Sequence, residues 1–407
     1  MEKKKFDELY SDLLVHSVGL QPDDRLIVRG DTAFWDFYCE LAKAAYKKGA
    51  KHVDVWNSSD TLTHTRLEHS NPKNLSYQPS EIDCRNRIAI DENAVFIRIS
   101  TSVNPFIFED IDSLNLGILM KSYTAQRRYL LSSLMADRNR WLVASYPCEE
   151  WARIVLGENG TYEDLQRIVL PILFGPENKP VEYWEEKSRV LEQRCNVLNK
   201  YGLKSLHITG GGTDLSVGLS RKAIWTGGQA TQVPEGSKFL PNLPTEEVFT
   251  APDWRKTNGT AKTSRSVIIQ GNEVIGAEFH FEDGILKKWD AEKGKETLDS
   301  FFGTDEGSKR LGEVSIVGSE SPVYQANRLF FDTLLDENAA VHIAFGSGYI
   351  TNLEEHETMT DKEKEANGLS QSDVHEDVMI GCDDTRIEGE AYDGTRHVLM
   401  EDGRVML

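Results

Sequence analysis

Two histidines near the end of the chain stand where an imidazole is unusual. His342 lies inside Ala340-Val341-His342-Ile343-Ala344-Phe345-Gly346, an otherwise apolar run that reads as a strand. His375 lies in Ser372-Asp373-Val374-His375-Glu376-Asp377-Val378-Met379-Ile380-Gly381, two residues before Asp377. Residues two apart in an extended chain project to one side, so His375 and Asp377 can aim an imidazole nitrogen and a carboxylate at one centre. Neutral imidazole is the commonest nitrogen ligand for zinc-like metals. Each feature also has a plainer account: a hydrogen-bonded core histidine for His342, a polar strand edge for the His-x-Asp segment.

Carboxylates gather in the same half of the sequence. Glu246 and Glu247 stand between Pro244 and the apolar Val248-Phe249-Thr250. A strand sends such neighbours to opposite faces, so one could bind a cation while the other reached a reacting water. A solvated loop edge is the alternative. Glu313 opens the alternation Gly312-Glu313-Val314-Ser315-Ile316-Val317-Gly318 and by itself is only the polar residue at a strand start. Tyr349 follows Gly348, where a phenol could face a site or cap the core. Two histidines and several acids beside apolar strands together point to a metal site.

Other chemistries find little support. There is no G-x-G-x-x-G after a first strand and no G-K-S/T, so no phosphate cradle is expected. Gly210-Gly211-Gly212 between two strand-like runs reads as a tight turn. Gly346-Ser347-Gly348 lacks the spacing of a nucleophile elbow, and Cys148 has no histidine partner in sequence and reads as a packed thiol.

The elements that must position these residues fall into two groups. Leu26 to Val28, a helical stretch over about 32–48 closed by Gly49, and His52 to Trp56 form one βαβ unit of a parallel sheet; Ala94 to Ile99 and Trp141 to Ser145 continue it. Residues 181–201 make an amphipathic helix ended by Gly202. Beyond it, strand-like runs are joined by turn signals at Gly210 to Gly212, Gln270-Gly271-Asn272, Asp283-Gly284, Asp393-Gly394 and Asp402-Gly403, with helical islands near 291–302 and 324–335. The expectation is an α/β N-terminal domain with a parallel sheet over 1–202, and an α+β, meander-rich C-terminal catalytic domain over 203–407.

Composition narrows the partners. The chain of 407 residues carries 46 Lys plus Arg against 66 Asp plus Glu, a formal net charge of -20. Phosphate backbones reward clustered cations, and the longest basic run is only Lys3 to Lys5, so no nucleic-acid partner is expected. Five scattered cysteines, Cys39, Cys84, Cys148, Cys195 and Cys382, form no CxxC pair and fit reduced thiols. No stretch approaches 18 uncharged apolar residues and the N-terminus has no long apolar segment, so a soluble, cytoplasmic protein without a membrane partner is expected.

Four ordered segments, PTEEVFTAP (244–252), GEVSIVG (312–318), VHIAFGSGY (341–349) and SDVHEDVMIG (372–381), resemble the M29 peptidases, the thermophilic or AmpS-like metalloaminopeptidases. The resemblance covers most of the chain. It implies two divalent metal ions, zinc, cobalt or manganese, held by Glu247, Glu313, His342, His375 and Asp377, with Tyr349 as a further site residue and Glu247 preferred to Glu246 as ligand. Glu246 then becomes the candidate proton acceptor, and Tyr349 a ligand or a donor to the oxyanion. A paired metal centre of this kind activates a water and polarises a peptide carbonyl. The implied activity is release of N-terminal residues from peptides with a free N-terminus, by a homodimer. Two other readings remain at this point: a two-carboxylate glycosidase using Glu247 and Glu313, with no role for the histidines, and a non-enzymatic binding or scaffold protein.

Overall fold

The structure, a computed structural model, describes residues 1–112 and 114–407 in full. The chain forms two compact units, one of residues 1–185 and 229–243, the other of 186–228 and 244–407.

The first unit is built on a parallel sheet. Strands β1 (Arg25–Asp31), β2 (His52–Ser58), β3 (Val95–Ile99) and β4 (Trp141–Ala144) lie in the order β2-β1-β3-β4, and the short strand Asn242–Leu243 adds to the edge of β4. Leu26, Ile27 and Val28 are all fully buried. Such a continuous run is what a parallel strand covered on both faces requires. Helix Trp35–Lys48 stops at Gly49, whose φ of +105° is a left-handed C-terminal cap that the β-carbon of other residues would disfavour. Helices Ser80–Asp91 and Ser113–Met135 cover the sheet face that carries Ile27 and Phe96, burying Ala89 and Leu130 against them.

The second unit is antiparallel. Its larger sheet has eight strands, in the order 285–290, 278–282, 252–262, 213–219, 203–210, 386–391, 396–401 and 404–405. The triple glycine is the hairpin turn between 203–210 and 213–219, with φ of +124°, +58° and +92°. A second sheet has four strands, β5 (Val248–Thr250), β6 (Leu311–Ile316), β7 (His342–Gly346) and β8 (His375–Met379), in that order. Its inner face is held by aromatic packing: Phe345 lies 4.8 Å from Phe279, 5.7 Å from Phe281 and 5.0 Å from Phe302 between ring centroids.

The expected combination, a parallel α/β N-terminal region and an antiparallel, sheet-rich C-terminal region, is the observed one. Local departures have local causes. The helical island near 324–335 is two short helices, Pro322–Ala326 and Thr333–Asp336, because Asn327 (φ +46°) and Phe331 (φ +56°) leave the helical conformation. Among the described residues, no helix is long and apolar enough to cross a membrane.

Candidate metal centre

The four-stranded sheet has an apolar side and a chemical side, fixed by register. Val314, Ile343 and Val378 lie side by side on β6, β7 and β8 and are fully buried in the hydrophobic core. One residue along, Glu313 stands opposite Ala344 and Ala344 opposite Asp377. Directly opposed residues share a face, so the two acids flank a methyl group on the outer face and their carboxylates can lean across it. His342, two residues before Ala344, occupies the same face. Gly346, two residues after it, stands opposite His375.

Glu247 completes the group from the segment entering β5. It is 5% exposed, Glu313 3% and His342 1%. Its Oε2 lies 3.1 Å from Nε2 of His342, with Glu313 Oε1 at 3.5 Å and Asp377 Oδ1 at 3.9 Å from the same nitrogen. Nε2 of His375 is 3.6 Å from Asp377 Oδ1 and 3.8 Å from Glu313 Oε2. Two trios of donor atoms result, Glu247–Glu313–His342 and Glu313–His375–Asp377, each within 4.8 Å and each able to hold one cation. They share Glu313.

The histidine tautomers indicate what the centre needs. Nδ1 of His375 lies 2.7 Å from the carbonyl oxygen of Ser347, and Nδ1 of His342 lies 3.1 Å from the carbonyl oxygen of Ala340 and 2.8 Å from Ser315 Oγ. A carbonyl only accepts, so Nδ1 carries the hydrogen in each ring. In the neutral imidazole, Nε2 is then a bare lone pair facing carboxylate oxygens. Only a positive charge between them relieves that arrangement. Glu247 Oε2 shows the same demand: it is buried beside Nε2 at 3.1 Å without the alignment of a hydrogen bond. The residues present therefore fit divalent cations, since carboxylate and imidazole donors suit zinc, cobalt and manganese.

Without a cation, protons supply the charge. Burial opposes a charged His375, but Asp377 and Glu313 outweigh it and raise its pKa to about 10. His342 is raised in the same way by Glu247 and Glu313 against burial. Burial and the charges of Glu247 and Asp377 raise Glu313 to about 7, against its contact with His342. Asp377 is lowered despite burial, because His375 beside it prevails.

Tyr349 borders the cluster, its ring 5.2 Å from that of His375 and 5.7 Å from that of Phe249. Burial, then the charges of Glu313 and Asp377, keep its phenol protonated. Glu246 turns the other way. Its Oε2 accepts from Lys187 Nζ at 2.7 Å, and its backbone N–H donates to Asn338 Oδ1 at 2.6 Å. The expected proton acceptor, Glu246, is engaged by Lys187 instead, because the irregular stretch before β5 turns its carboxylate to that lysine.

A further carboxylate that the sequence did not single out lies nearby. Glu337, in the turn Glu337–Ala339 that leads into β7 and packs against β8, has its pKa raised well above the usual range by burial and then by the charges of Glu247, Asp377 and Glu313. The available signal was the acidic pair Asp336-Glu337 shortly before the apolar run that holds His342.

A profile described as thermophilic metalloprotease (M29) matches residues 3–405. Aminopeptidase 2 of Geobacillus stearothermophilus is 33% identical over 405 residues, covering 98% of this chain and 97% of that one. Aminopeptidase PepS of Streptococcus thermophilus is 31% identical over 401 residues, 97% of each chain. The solved structure of wild-type AmpT from Thermus thermophilus superposes with a TM-score of 0.91 at 33% identity, covering 99% of this chain and 100% of that one. With a family profile spanning nearly its whole length and relatives above 30% identity end to end, this chain belongs to the M29 family of metallopeptidases.

Proposed function

We infer that the protein is a metalloaminopeptidase that removes N-terminal residues from peptides, with its catalytic centre on the outer face of the four-stranded sheet. The observation that carries this reading is the pair of donor trios sharing Glu313, with both imidazoles turning Nδ1 to a backbone carbonyl and Nε2 to the acids. In this reading Glu247, Glu313 and His342 hold one divalent cation, and Glu313, His375 and Asp377 a second. When bound, such a pair polarises the scissile carbonyl and makes water a nucleophile near neutral pH.

The chain's own side chains do the rest. Glu337, whose proton is favoured by burial and by its acidic neighbours in the cation-free protein, would be a carboxylate once cations are bound beside it, and could then take a proton from the attacking water and return it to the leaving amine. Tyr349 keeps its phenolic proton and can donate it as a hydrogen bond to the developing oxyanion. The surplus of carboxylates over imidazoles attracts the positive α-amino group of a free N-terminus. A glycosidase built on Glu247 and Glu313 leaves both histidines without a role. Cytoplasmic residence and a homodimer complete the reading, supported by five free cysteines and the family likeness.

The test is hydrolysis of a panel of free and N-acetylated amino-acid anilides, before and after EDTA and after metal is returned. Free-amine substrates alone should be cleaved, with activity lost to the chelator and restored by zinc, cobalt or manganese. Equal cleavage of blocked and free substrates, or activity indifferent to EDTA, refutes the assignment.

A further inference from the structure

On the side away from the acids, the ring of His375 is held through Nδ1 by the carbonyl oxygen of Ser347 at 2.7 Å. That carbonyl sits in a stretch of backbone fixed at three consecutive amides. The N–H of Gly346 donates to the carbonyl of Arg310 at 2.9 Å, that of Ser347 to Val374 at 2.8 Å, and that of Gly348 to Ser370 at 2.9 Å. The approach is close. Gly346 has a φ of +104°, and a β-carbon there would collide with the carbonyl oxygen of Val374. Two segments therefore hold the Ser347 carbonyl in place, the turn that ends at Arg310 and the stretch 370–374 that leads into β8.

Both segments meet at Asp305, in the loop between helix Lys295–Phe302 and β6. Its Oδ1 accepts from the N–H of Ser308 and from Ser372 Oγ, each at 2.8 Å. Its Oδ2 accepts from the N–H of Asp373 at 2.8 Å and lies 3.0 Å from the same Ser372 hydroxyl. Ser372 Oγ in turn accepts from the N–H of Val374 at 3.2 Å. On the other side, Ser308 Oγ donates to the carbonyl of Asp305 at 2.7 Å and the N–H of Arg310 to that of Gly307 at 3.0 Å, which closes the turn. Gly307 rests directly on the partner segment, since a β-carbon on it would collide with the carbonyl oxygen of Gln371. Every partner of the Asp305 side chain is a donor, and a carboxylate only accepts, so the match is complete and charge-assisted. The supports of His342 lie elsewhere: Ser315 and the carbonyl of Ala340 hold its Nδ1.

We propose that Asp305 is a positioning residue for one half of the metal centre: by joining the 305–310 turn to the 370–374 segment it fixes the Ser347 carbonyl, and through it the ring of His375. The inference rests on the two-cation reading in one respect, that Asp305 governs affinity at the trio Glu313–His375–Asp377 and leaves the trio Glu247–Glu313–His342 alone. Groups that orient a ligand histidine act on metal affinity without touching the metal.

The test compares full-length wild type with Asp305→Asn and Ser372→Ala. Asn keeps the size of Asp but offers one acceptor oxygen and sets an NH2 group against a donor, so it opens one arm of the junction. In the cation-free protein, the two histidine rings are assigned by the NMR signals lost in His375→Ala and His342→Ala. Asp305→Asn should move the ring signals of His375 and leave those of His342 in place, and unmoved His375 signals overturn the proposal. Cobalt loading is then followed by competition with a fluorescent chelator, the step lost in His375→Ala marking the affected trio. That step should weaken about tenfold in Asp305→Asn, the low end for an orienting group, while the other changes less than about twofold. Equal weakening of both steps would make Asp305 a general structural contact and also overturn the proposal. A wild type that takes up no second cation contradicts the two-cation reading instead, and the ring signals then decide the role of Asp305. Should Asp305→Asn fail to fold, Ser372→Ala, which keeps both backbone bonds to Asp305, should show the same selectivity at smaller amplitude.

Discussion

Ser315 and His342, neighbours across β6 and β7, are joined by a 2.8 Å hydrogen bond from side chain to side chain, made by the ring nitrogen that points away from the acids. That contact orients the imidazole, and the carbonyl of Ala340 shares the task. Partners of this kind typically govern ligand affinity about ten- to a hundredfold, and with one of two removed the lower figure applies. Ser315→Ala should therefore weaken metal binding about tenfold while leaving the fold intact, as a competition titration with a fluorescent chelator can measure. Unchanged affinity would mean that Ala340 alone fixes the ring.

Ala344 is the floor between Glu313 and Asp377. Ala344→Leu would put a branched side chain where the two carboxylates converge, and overpacking of this kind costs about 1–3 kcal/mol. Metal content by elemental analysis should fall, and peptide hydrolysis with it. Ala344→Gly should keep both.

Glu337 and Glu246 can be told apart by kinetics. Glu337→Gln should lower kcat about a hundredfold or more with metal content unchanged, the loss expected when a proton carrier is removed. Glu246→Gln weakens a buried ion pair with Lys187, so its effect should appear in the melting temperature, with kcat within a few-fold of wild type. The reverse pattern would return the proton-carrying role to Glu246.

In the cation-free protein, His375 is protonated up to a pKa of about 10 and His342 is raised as well. Cations need the deprotonated nitrogens, so loading must expel protons and affinity must rise with pH across the neutral range. Calorimetric loading in two buffers of different ionisation enthalpy should give different heats, from which the number of protons released follows. Identical heats would show that the imidazoles were already neutral.

What was legible in the sequence followed from short-range periodicity. The spacing of His375 and Asp377 depends only on strand alternation, so a local segment revealed it. Which of Glu246 and Glu247 faces the centre depends on how the irregular segment before Val248 enters β5, and Glu337 depends on a turn that packs against β8. Neither has a local signature. The strand Asn242–Leu243 is too short to announce itself, yet it extends the first sheet.

That strand constrains how the chain can be made and divided. Because residues 229–243 return to the first unit after the chain has begun the second, a ribosome must synthesise beyond residue 243 before the parallel sheet can acquire its last strand. A fragment cut at residue 202 would emerge with the backbone amides and carbonyls of Val143 and Ala144 unpaired on one side, an open edge that invites self-association. Appending residues 229–243 to such a fragment through a flexible linker is the remedy the connectivity dictates.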